Sequence, residues 1–298
     1  MAPAVSVIMT SYNARSTVAR ALRSLEAQQT SAEFETLLID SGDDDTAALV
    51  RETFPWVRVL RFEQRMYCGD GRNVGLQESG APIVAFLDCD CEAAPDFIEQ
   101  VIAAHRESDA LSIGGAVDNA NPESAAGWAY YFTEFASWAP GLPAREIDDV
   151  PGCSMSIKRE GYEAFGPFLG GSYCSDSAFH WNMARAGHRP RFDPRIRVSH
   201  INPEDLSHIA GHAASHGAQF GRVRRVESRP SALRLWSWRL GGPLIPVLLT
   251  ARTVGHVWSA GRHRGQLLRS LPRVAAVQSA WAWGEWKSYW ARRPGSAR

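Results

Sequence analysis

The chain of 298 residues has no run of about 20 apolar residues, which argues against an ordinary transmembrane helix. The apolar stretch Leu244-Ile245-Pro246-Val247-Leu248-Leu249 is short and broken by proline. The start, Met1-Ala2-Pro3-Ala4-Val5, lacks a basic segment followed by a long apolar core. Cysteine is scarce: Cys68, Cys89, Cys91, Cys153 and Cys174 are an odd number with no disulfide-like framework. These absences argue for a reducing, cytoplasmic setting over secretion. Net charge is also absent, but only in the sum. Residues 222–298 carry 15 Lys/Arg, 14 of them Arg, against two acids, whereas residues 1–221 carry 17 against 30. Such a split, about +13 against −13, suggests two different jobs in one chain.

What is present alternates. Val5-Ser6-Val7-Ile8-Met9 is short, β-branched and apolar, the pattern of a buried parallel strand, and breaks at Thr10-Ser11-Tyr12-Asn13. Val18, Leu22 and Leu25 then recur at helical spacing. Thr36-Leu37-Leu38-Ile39 reads as a second strand ending in Asp40, residues 46–53 as a helix, and Val57-Arg58-Val59-Leu60 as a third strand. A helix from Cys68 to Ser79 precedes the strand at 83–87. Further helices are expected at 95–105 and 175–186, with strands at 110–117, 152–157 and 196–200. Loops this short fit right-handed parallel crossovers, so the fold class is α/β with a mostly parallel sheet flanked by helices. The aromatic segment 119–150 reads equally well as a core-packing helix pair or as a wall facing an acceptor.

Polar residues gather where the strands end: Thr10 and Tyr12, Asp40, then Asp88 and Asp90. In an open α/β sheet that edge is where ligands bind, although Asp and Ser also favour helix caps. Asp88 and Asp90, spaced i, i+2 after five apolar residues, fit a metal seat, a catalytic pair or a capped loop. Cys89 and Cys91 interleave with them, but a Cys-x-Cys pair without a second pair is a poor zinc signature. Gly69, Gly71 and Gly75 miss a dinucleotide fingerprint by one residue and do not follow the first strand. His208 and His212 lie i, i+4 with no metalloprotease glutamate between them, and read as a helix face.

The order of these motifs resembles glycosyltransferase family 2, with its GT-A (Rossmann-like) fold, over roughly residues 4–200. The pieces are Val5 to Asn13; Leu38-Ile39-Asp40-Ser41-Gly42; Gly71-Arg72-Asn73-Val74-Gly75; Phe86-Leu87-Asp88-Cys89-Asp90; Gly152-Cys153-Ser154-Met155; and Ser175-Asp176 before a helix ending Ala186-Gly187. The resemblance implies inverting transfer of a sugar from a nucleoside diphosphate donor, best matched by a UDP-sugar, to a hydroxyl acceptor, with Mn²⁺ or Mg²⁺. It places Thr10, Tyr12, Asp40, Arg72 and Asp88 around the nucleotide. It makes Asp90 the more direct metal ligand, with Asp88 and His200 contributing, and Asp176 the general base. Gly152, Cys153 and Ser154, with Trp138, are expected on the acceptor side. The family usually has Glu-Asp where this chain has Ser175-Asp176, which leaves acceptor orientation open. Asp176 could instead serve only as a first-turn helix charge, and Arg72 as a partner of the acidic loop 40–45.

These patterns divide the chain into a catalytic domain at 1–221 (nucleotide-sugar side 1–118, acceptor side 119–221) and a basic, Trp-rich helical tail at 222–298. Seven of the eleven tryptophans lie beyond Ser231, mixed with Arg. That mixture fits an amphipathic segment lying on an anionic leaflet, with peripheral contact through 231–298 at the inner face of the cell membrane. The ending Trp281-Ala282-Trp283-Gly284-Glu285 resembles the tails of membrane-associated bacterial members of the family, which implies a lipid-linked or polysaccharide acceptor. Helices packed on the catalytic domain, or a dimer contact, would explain the same residues. Nucleic acid is not expected, because the larger part is acidic and carries no nucleic-acid motif. A nucleotidyltransferase would need a Gly-rich basic loop after the first strand, which Thr10-Ser11-Tyr12-Asn13 is not. A sugar-nucleotide-binding protein without turnover is the other alternative.

Overall fold

The computed structural model describes residues 2–228 and 230–291. The last part of the expected basic tail, 292–298, lies outside the described residues. The elements run β1 (Val5–Ser11), α1 (Val18–Glu26), β2 (Phe34–Asp40), α2 (Thr46–Thr53), β3 (Arg58–Arg61), α3 (Cys68–Glu78) and β4 (Ile83–Phe86). Then come β5 (Cys91–Ala93), α4 (Phe97–Glu107), β6 (Ser112–Asn119), α5 (Ala125–Glu134), β7 (Arg145–Glu146), β8 (Met155–Lys158) and α6 (Arg159–Phe165). The chain continues through α7 (Ser175–Arg185), β9 (Arg191–His200), α8 (Leu206–Glu227), α9 (Ala232–Gly241), α10 (Ile245–Ala260) and α11 (Arg264–Trp290).

Two compact units result, one of residues 1–121 with 138–202 and one of 122–137 with 203–298. The bounds differ from a division at 221 because α5 and α8 both pack on α11.

The first unit is a mixed sheet in the order β3-β2-β1-β4-β8-β6-β9-β5, with β7 added to β9. Strands β3, β2, β1 and β4 are parallel, as the short alternating crossovers require. Beyond β4 the direction changes: β8 runs antiparallel to both β4 and β6, and β5 runs antiparallel to β9. Strands β2 and β4 lie on opposite sides of β1, so the order reverses there and opens a crevice at the strands' C-terminal ends.

The core follows the expected apolar positions. Helix α1 buries Val18, Ala21, Leu22 and Leu25. Ile8, Leu37, Ile39, Val84, Phe86, Met155, Ile157, Phe168 and Phe179 form one cluster under α3 and α7. The glycines of α3 are packing residues: a Cβ on Gly71 would stand 2.7 Å from Thr10 Cγ2, and one on Gly75 about as close to Ile8. Helix α3 therefore lies unusually close to β1, and carries Arg72 with it.

The second unit is helical. Gly217 and Gly221 of α8 face Trp281, Glu285 and Ser288 of α11, and Gly284 faces Ala214, with no room for side chains between the backbones. The aromatic segment left open by its pattern contributes α5, whose Trp128 stacks on Phe132 at 5.3 Å and donates to the Pro122 carbonyl. No described helix is long and apolar enough to cross a membrane.

One buried titratable group bears on stability. His105 of α4 is buried, and its Nε2 lies 2.9 Å from Ser156 Oγ, which itself donates to the Ile113 carbonyl. Nε2 therefore carries the hydrogen, and Nδ1 is buried with no hydrogen-bond partner. Burial, helped by the nearby Lys158 charge, lowers its pKa from 6.5 to about 4. A depressed histidine stabilises the fold above the unfolded pKa, and that stability is lost as pH falls towards the folded value. The loss should reach about 3 kcal/mol near pH 4. His105→Gln should flatten this acid limb in thermal melts run from about pH 7 down to about pH 4.5.

Candidate active site

Strand β4 ends at Phe86, Leu87 still donates to the Ile8 carbonyl, and a turn closed by Cys91 N–H to the Asp88 carbonyl (3.0 Å) leads into β5. Cys89 points back, its thiol donating to the Thr10 carbonyl at 3.4 Å. Asp88 is half-buried. Burial pushes its carboxyl up to about 6 against the pull of Arg72, with Asp90 adding to the rise and His200 opposing it. Arg72 thus compensates the buried carboxylate only in part.

Asp90, Cys91 and His200 bring one ligand atom each within 4.8 Å of one another. Asp90 is 41% exposed, and its Oδ2 lies 3.5 Å from His200 Nε2, whose ring is buried. His200 Nδ1 is 3.0 Å from Asn202 Oδ1, while Asn202 Nδ2 donates to Asn119 Oδ1 and to the His200 carbonyl. The amide's acceptor thus faces the ring, so Nδ1 carries the hydrogen and Nε2 presents its lone pair towards Asp90. That is how metal-ligating histidines are usually oriented. A carboxylate, an imidazole of fixed tautomer and the under-compensated Asp88 together fit a divalent cation. The Asn202–Asn119 pair was not visible in the sequence, because it forms across the end of β6 and β9.

Arg72 is buried, 3% exposed, with its guanidinium 5.2 Å from the Phe86 ring and 5.8 Å from Phe168. Burial works against its charge, yet Asp176, then Cys68 and Asp88, raise its pKa above the usual arginine value. Its Nη1 donates to Ser175 Oγ at 3.3 Å rather than into the acidic loop 40–45. Asp176 stands in the first turn of α7. Its pKa is raised, by burial foremost, with Arg72 opposing and Asp149 adding to the rise. Asp149 accepts from Ser177 and lies 2.6 Å from Nδ1 of the fully buried His180, whose Nε2 meets Ser112 Oγ at 2.9 Å. Sequence reading passed over Asp149 and His180. The available signal was the i, i+4 spacing of Asp176 and His180 at a helix start.

The sequence model of Glycosyl transferase family 2 matches residues 6–164. The chain belongs to this family. An uncharacterized glycosyltransferase, YfnE of Bacillus subtilis, is 31% identical over 114 residues, 37% of this chain and 29% of that protein. Among solved structures, the mannosyltransferase PcManGT of Pyrobaculum calidifontis, in complex with GDP-Man and Mn²⁺, superposes with a TM-score of 0.60 at 17% identity. The match covers 94% of this chain and 86% of that one. GalNAc-T7 with UDP, GalNAc and Mn²⁺ gives 0.52 at 16% identity, over 76% and 48% of the two chains. At these identities the likeness concerns the GT-A fold alone. The chain spans less than a third of YfnE's length.

Within this family 2 chain the other residues singled out by sequence fall into three places. Thr10 and Tyr12 line a cleft of about 60 Å³ with Ser41, Met66, Tyr67 and Cys68, and Arg65 lies 4.2 Å above the Tyr12 ring. Asp40 is buried beneath it. Its Oδ1 accepts from Gly42 N–H at 3.4 Å, and its Oδ2 sits 3.3 Å from Arg61 Nε without the angle of a hydrogen bond. Gly152 abuts the Arg72–Asp176 pair, and Cys153 is buried close to Cys91. Ser154 instead turns inward, donating to the Gly115 carbonyl at 3.1 Å, and Trp138 Nε1 donates to the Asp149 carbonyl at 3.0 Å.

A Cβ on Gly152 would stand 2.5 Å from Arg72 Nη2 and 2.6 Å from Asp176 Oδ2. Both are side-chain ends, but they belong to a buried ion pair, so Gly152→Ala should lower Tm as it displaces the two charged groups. Glycosyl transfer should fall about 10²-fold, measured as turnover by the purified variant beside its melting curve.

Proposed function

We propose that this chain transfers a sugar from a nucleoside diphosphate donor, with a UDP-sugar as first choice, to a hydroxyl of a glycan or lipid-linked acceptor, with inversion. The observation that carries the reading is the clustering of Asp88, Asp176 and Arg72 beside an Asp90–His200 metal-ligand pair at the sheet's switch point. Thr10, Tyr12 and Asp40 serve the nucleoside: the Tyr12 ring offers a face to the base, and Asp40, buried beneath the cleft, holds its floor through Gly42 N–H. A divalent ion, Mn²⁺ or Mg²⁺, held by Asp90 and His200 with Asp88 close by, would offset negative charge on the departing diphosphate. Both solved relatives named above were captured with Mn²⁺.

In the transfer, the acceptor oxygen attacks the anomeric carbon from the face opposite the diphosphate. The new C–O bond forms as the C–O bond to phosphate breaks, and the hydroxyl proton passes to the Asp176 carboxylate. A base held above the ordinary aspartate pKa keeps that proton better than an exposed one. Arg72 orients Asp176 and screens it from the donor phosphates. Ser175, which replaces the family's usual glutamate, accepts a hydrogen bond from Arg72.

Asp176→Asn should lower transfer about 10²–10⁴-fold while leaving donor affinity within a few-fold. The measurement is a thermal-shift panel of UDP, GDP and dTDP and their sugars, with and without Mn²⁺, beside a turnover assay. Near-normal turnover in Asp176→Asn would sink the base assignment. Donor binding without turnover in the unsubstituted chain would favour a sugar-nucleotide-binding protein. The panel also decides between UDP and the GDP that the mannosyltransferase carries.

The reading extends to peripheral contact with the cytoplasmic membrane face through the second unit. Helices α9 and α10 and the turn between them expose Leu233, Leu240, Leu244, Val247 and Leu248 at 62–82%, with Trp236 at 49%. Arg239 lies 5.0 Å from both the Trp236 and Trp290 rings, a mixture suited to headgroups above and acyl chains below. The full chain should co-sediment with anionic vesicles, and the double variant Leu244→Glu/Leu248→Glu should reduce that binding about tenfold or more.

A further inference from the structure

The metal-ligand cluster contains one group that a hard-cation site has no use for. Cys91 is the first residue of β5 and pairs directly opposite His200 of β9 in an antiparallel register. Residues opposite one another in such a pair project to the same face, with Cβ atoms about 4.5–5.5 Å apart. The thiol therefore stands beside the imidazole through backbone pairing. The next residue, Glu92, lies opposite Ser199 and is drawn away into an ion pair with Arg20. Asp90 immediately precedes Cys91, and its carboxylate closes the third side of the cluster.

We propose that Cys91 is a direct sulfur ligand of the cation, so that this site takes thiophilic divalent ions, Zn²⁺ or Co²⁺, more tightly than it takes Mg²⁺. The proposal rests on the metal seat of the preceding section and adds a ligand and a selectivity to it. In a tetrahedral site with metal–nitrogen and metal–oxygen distances near 2.0–2.1 Å and metal–sulfur near 2.3 Å, neighbouring ligand atoms lie about 3.3–3.6 Å apart. The Asp90–His200 edge, at 3.5 Å, already has that length. All three atoms fall within 4.8 Å, so modest side-chain rotation closes the remaining edges.

The surroundings support the same ion class. Asn202 fixes the imidazole tautomer, which makes His200 Nε2 a ready ligand. The buried Cys153 thiol lies close to that of Cys91, a second sulfur beside the first. Mg²⁺ demands oxygen ligands in near-octahedral array and would leave Cys91 unused, whereas thiolate and imidazole together suit Zn²⁺ and Co²⁺. On loading, the Cys91 S–H bond breaks, its electron pair forms the sulfur–metal bond, and the proton leaves to solvent. A Cys-x-Cys spacing in the sequence could not show this, because the second cysteine's partner is a histidine about a hundred residues away, while Cys89 faces β1.

The test is an optical titration of the full chain with Co²⁺ in the presence of UDP, beside an EPR titration with Mn²⁺. Expected are visible ligand-field bands with a sulfur-to-cobalt charge-transfer band in the near ultraviolet. Cys91→Ser should lose the charge-transfer band and at least about tenfold in Co²⁺ affinity, with Mn²⁺ affinity changed only a few-fold. Cys153→Ser should keep the band. A charge-transfer band that is absent from the unsubstituted chain although Mn²⁺ binds, or one that persists in Cys91→Ser, overturns the Cys91 assignment and leaves the metal seat standing. Failure of both Mn²⁺ and Co²⁺ to bind overturns the seat itself. The unsubstituted chain decides the matter even if Cys91→Ser does not fold.

Discussion

Burying the Arg72 guanidinium is the constraint that organises the first unit. A cation removed from water costs several kcal/mol unless carboxylates stand close by. Here Asp176 and Asp88 supply them, arriving from α7 and from the turn after β4, while the rings of Phe86 and Phe168 flank the remaining surface. Each acid in turn is held above its ordinary pKa and would be held further still without the arginine. The three groups are therefore a single electrostatic object, and α3, α7 and the β4–β5 turn cannot move independently. Gly71 and Gly75 make that object possible by letting α3 settle on β1, and Gly152 leaves room for its two ends.

The other half of the site depends on strand direction. Had β5 run parallel to β9, Cys91 and His200 would not be cross-strand neighbours and Asp90 would open away from the imidazole. The antiparallel pairing of three residues is enough to fix these groups, and the Asn119–Asn202 link ties the end of β9 to β6. One donor of that link, Asn119 Nδ2, is buried with no hydrogen-bond partner, a cost that the rest of the network has to offset.

Much of this was legible in the sequence, for reasons that differ by residue. The β-α alternation through β4 shows because buried parallel strands are continuous apolar runs and α1 repeats its apolar residues at helical spacing. Asp88, Asp90, Asp40 and Thr10 are recognisable because they interrupt those runs at one end. What stayed hidden is non-local. Strand β5 has three residues and β7 two, too few for any periodicity to register. The reversal at β8 leaves no local trace, since an apolar run does not encode its partner's direction. Asp149 lies in an irregular loop, and only the folded chain brings it to His180 and Asp176. The glycines of α3 missed a dinucleotide fingerprint by one residue and are instead contacts of helix on strand. The aromatic segment split between roles: Trp128, Tyr131 and Phe132 fill the helical unit, while Trp138 braces the loop behind Asp149.

The seam between α8 and α11 has a consequence for the kind of solvent the second unit can tolerate. Its helices meet through glycine-to-backbone contact at Gly217, Gly221 and Gly284, reinforced by Arg224 with Glu285 at 3.1 Å and Arg225 with the Ser288 carbonyl at 3.1 Å. Ile209, Ala213 and Val277 add an apolar cluster to the seam, but close dispersion contact and interhelical polar bonds do not draw on the aversion of hydrocarbon for water. They are the forces by which helices associate inside lipid, where that aversion vanishes. A pair joined in this way keeps its cohesion when the medium against its outer face changes from aqueous to oily, so the exposed leucines and tryptophans of this unit can exchange surroundings without loosening the frame that carries them.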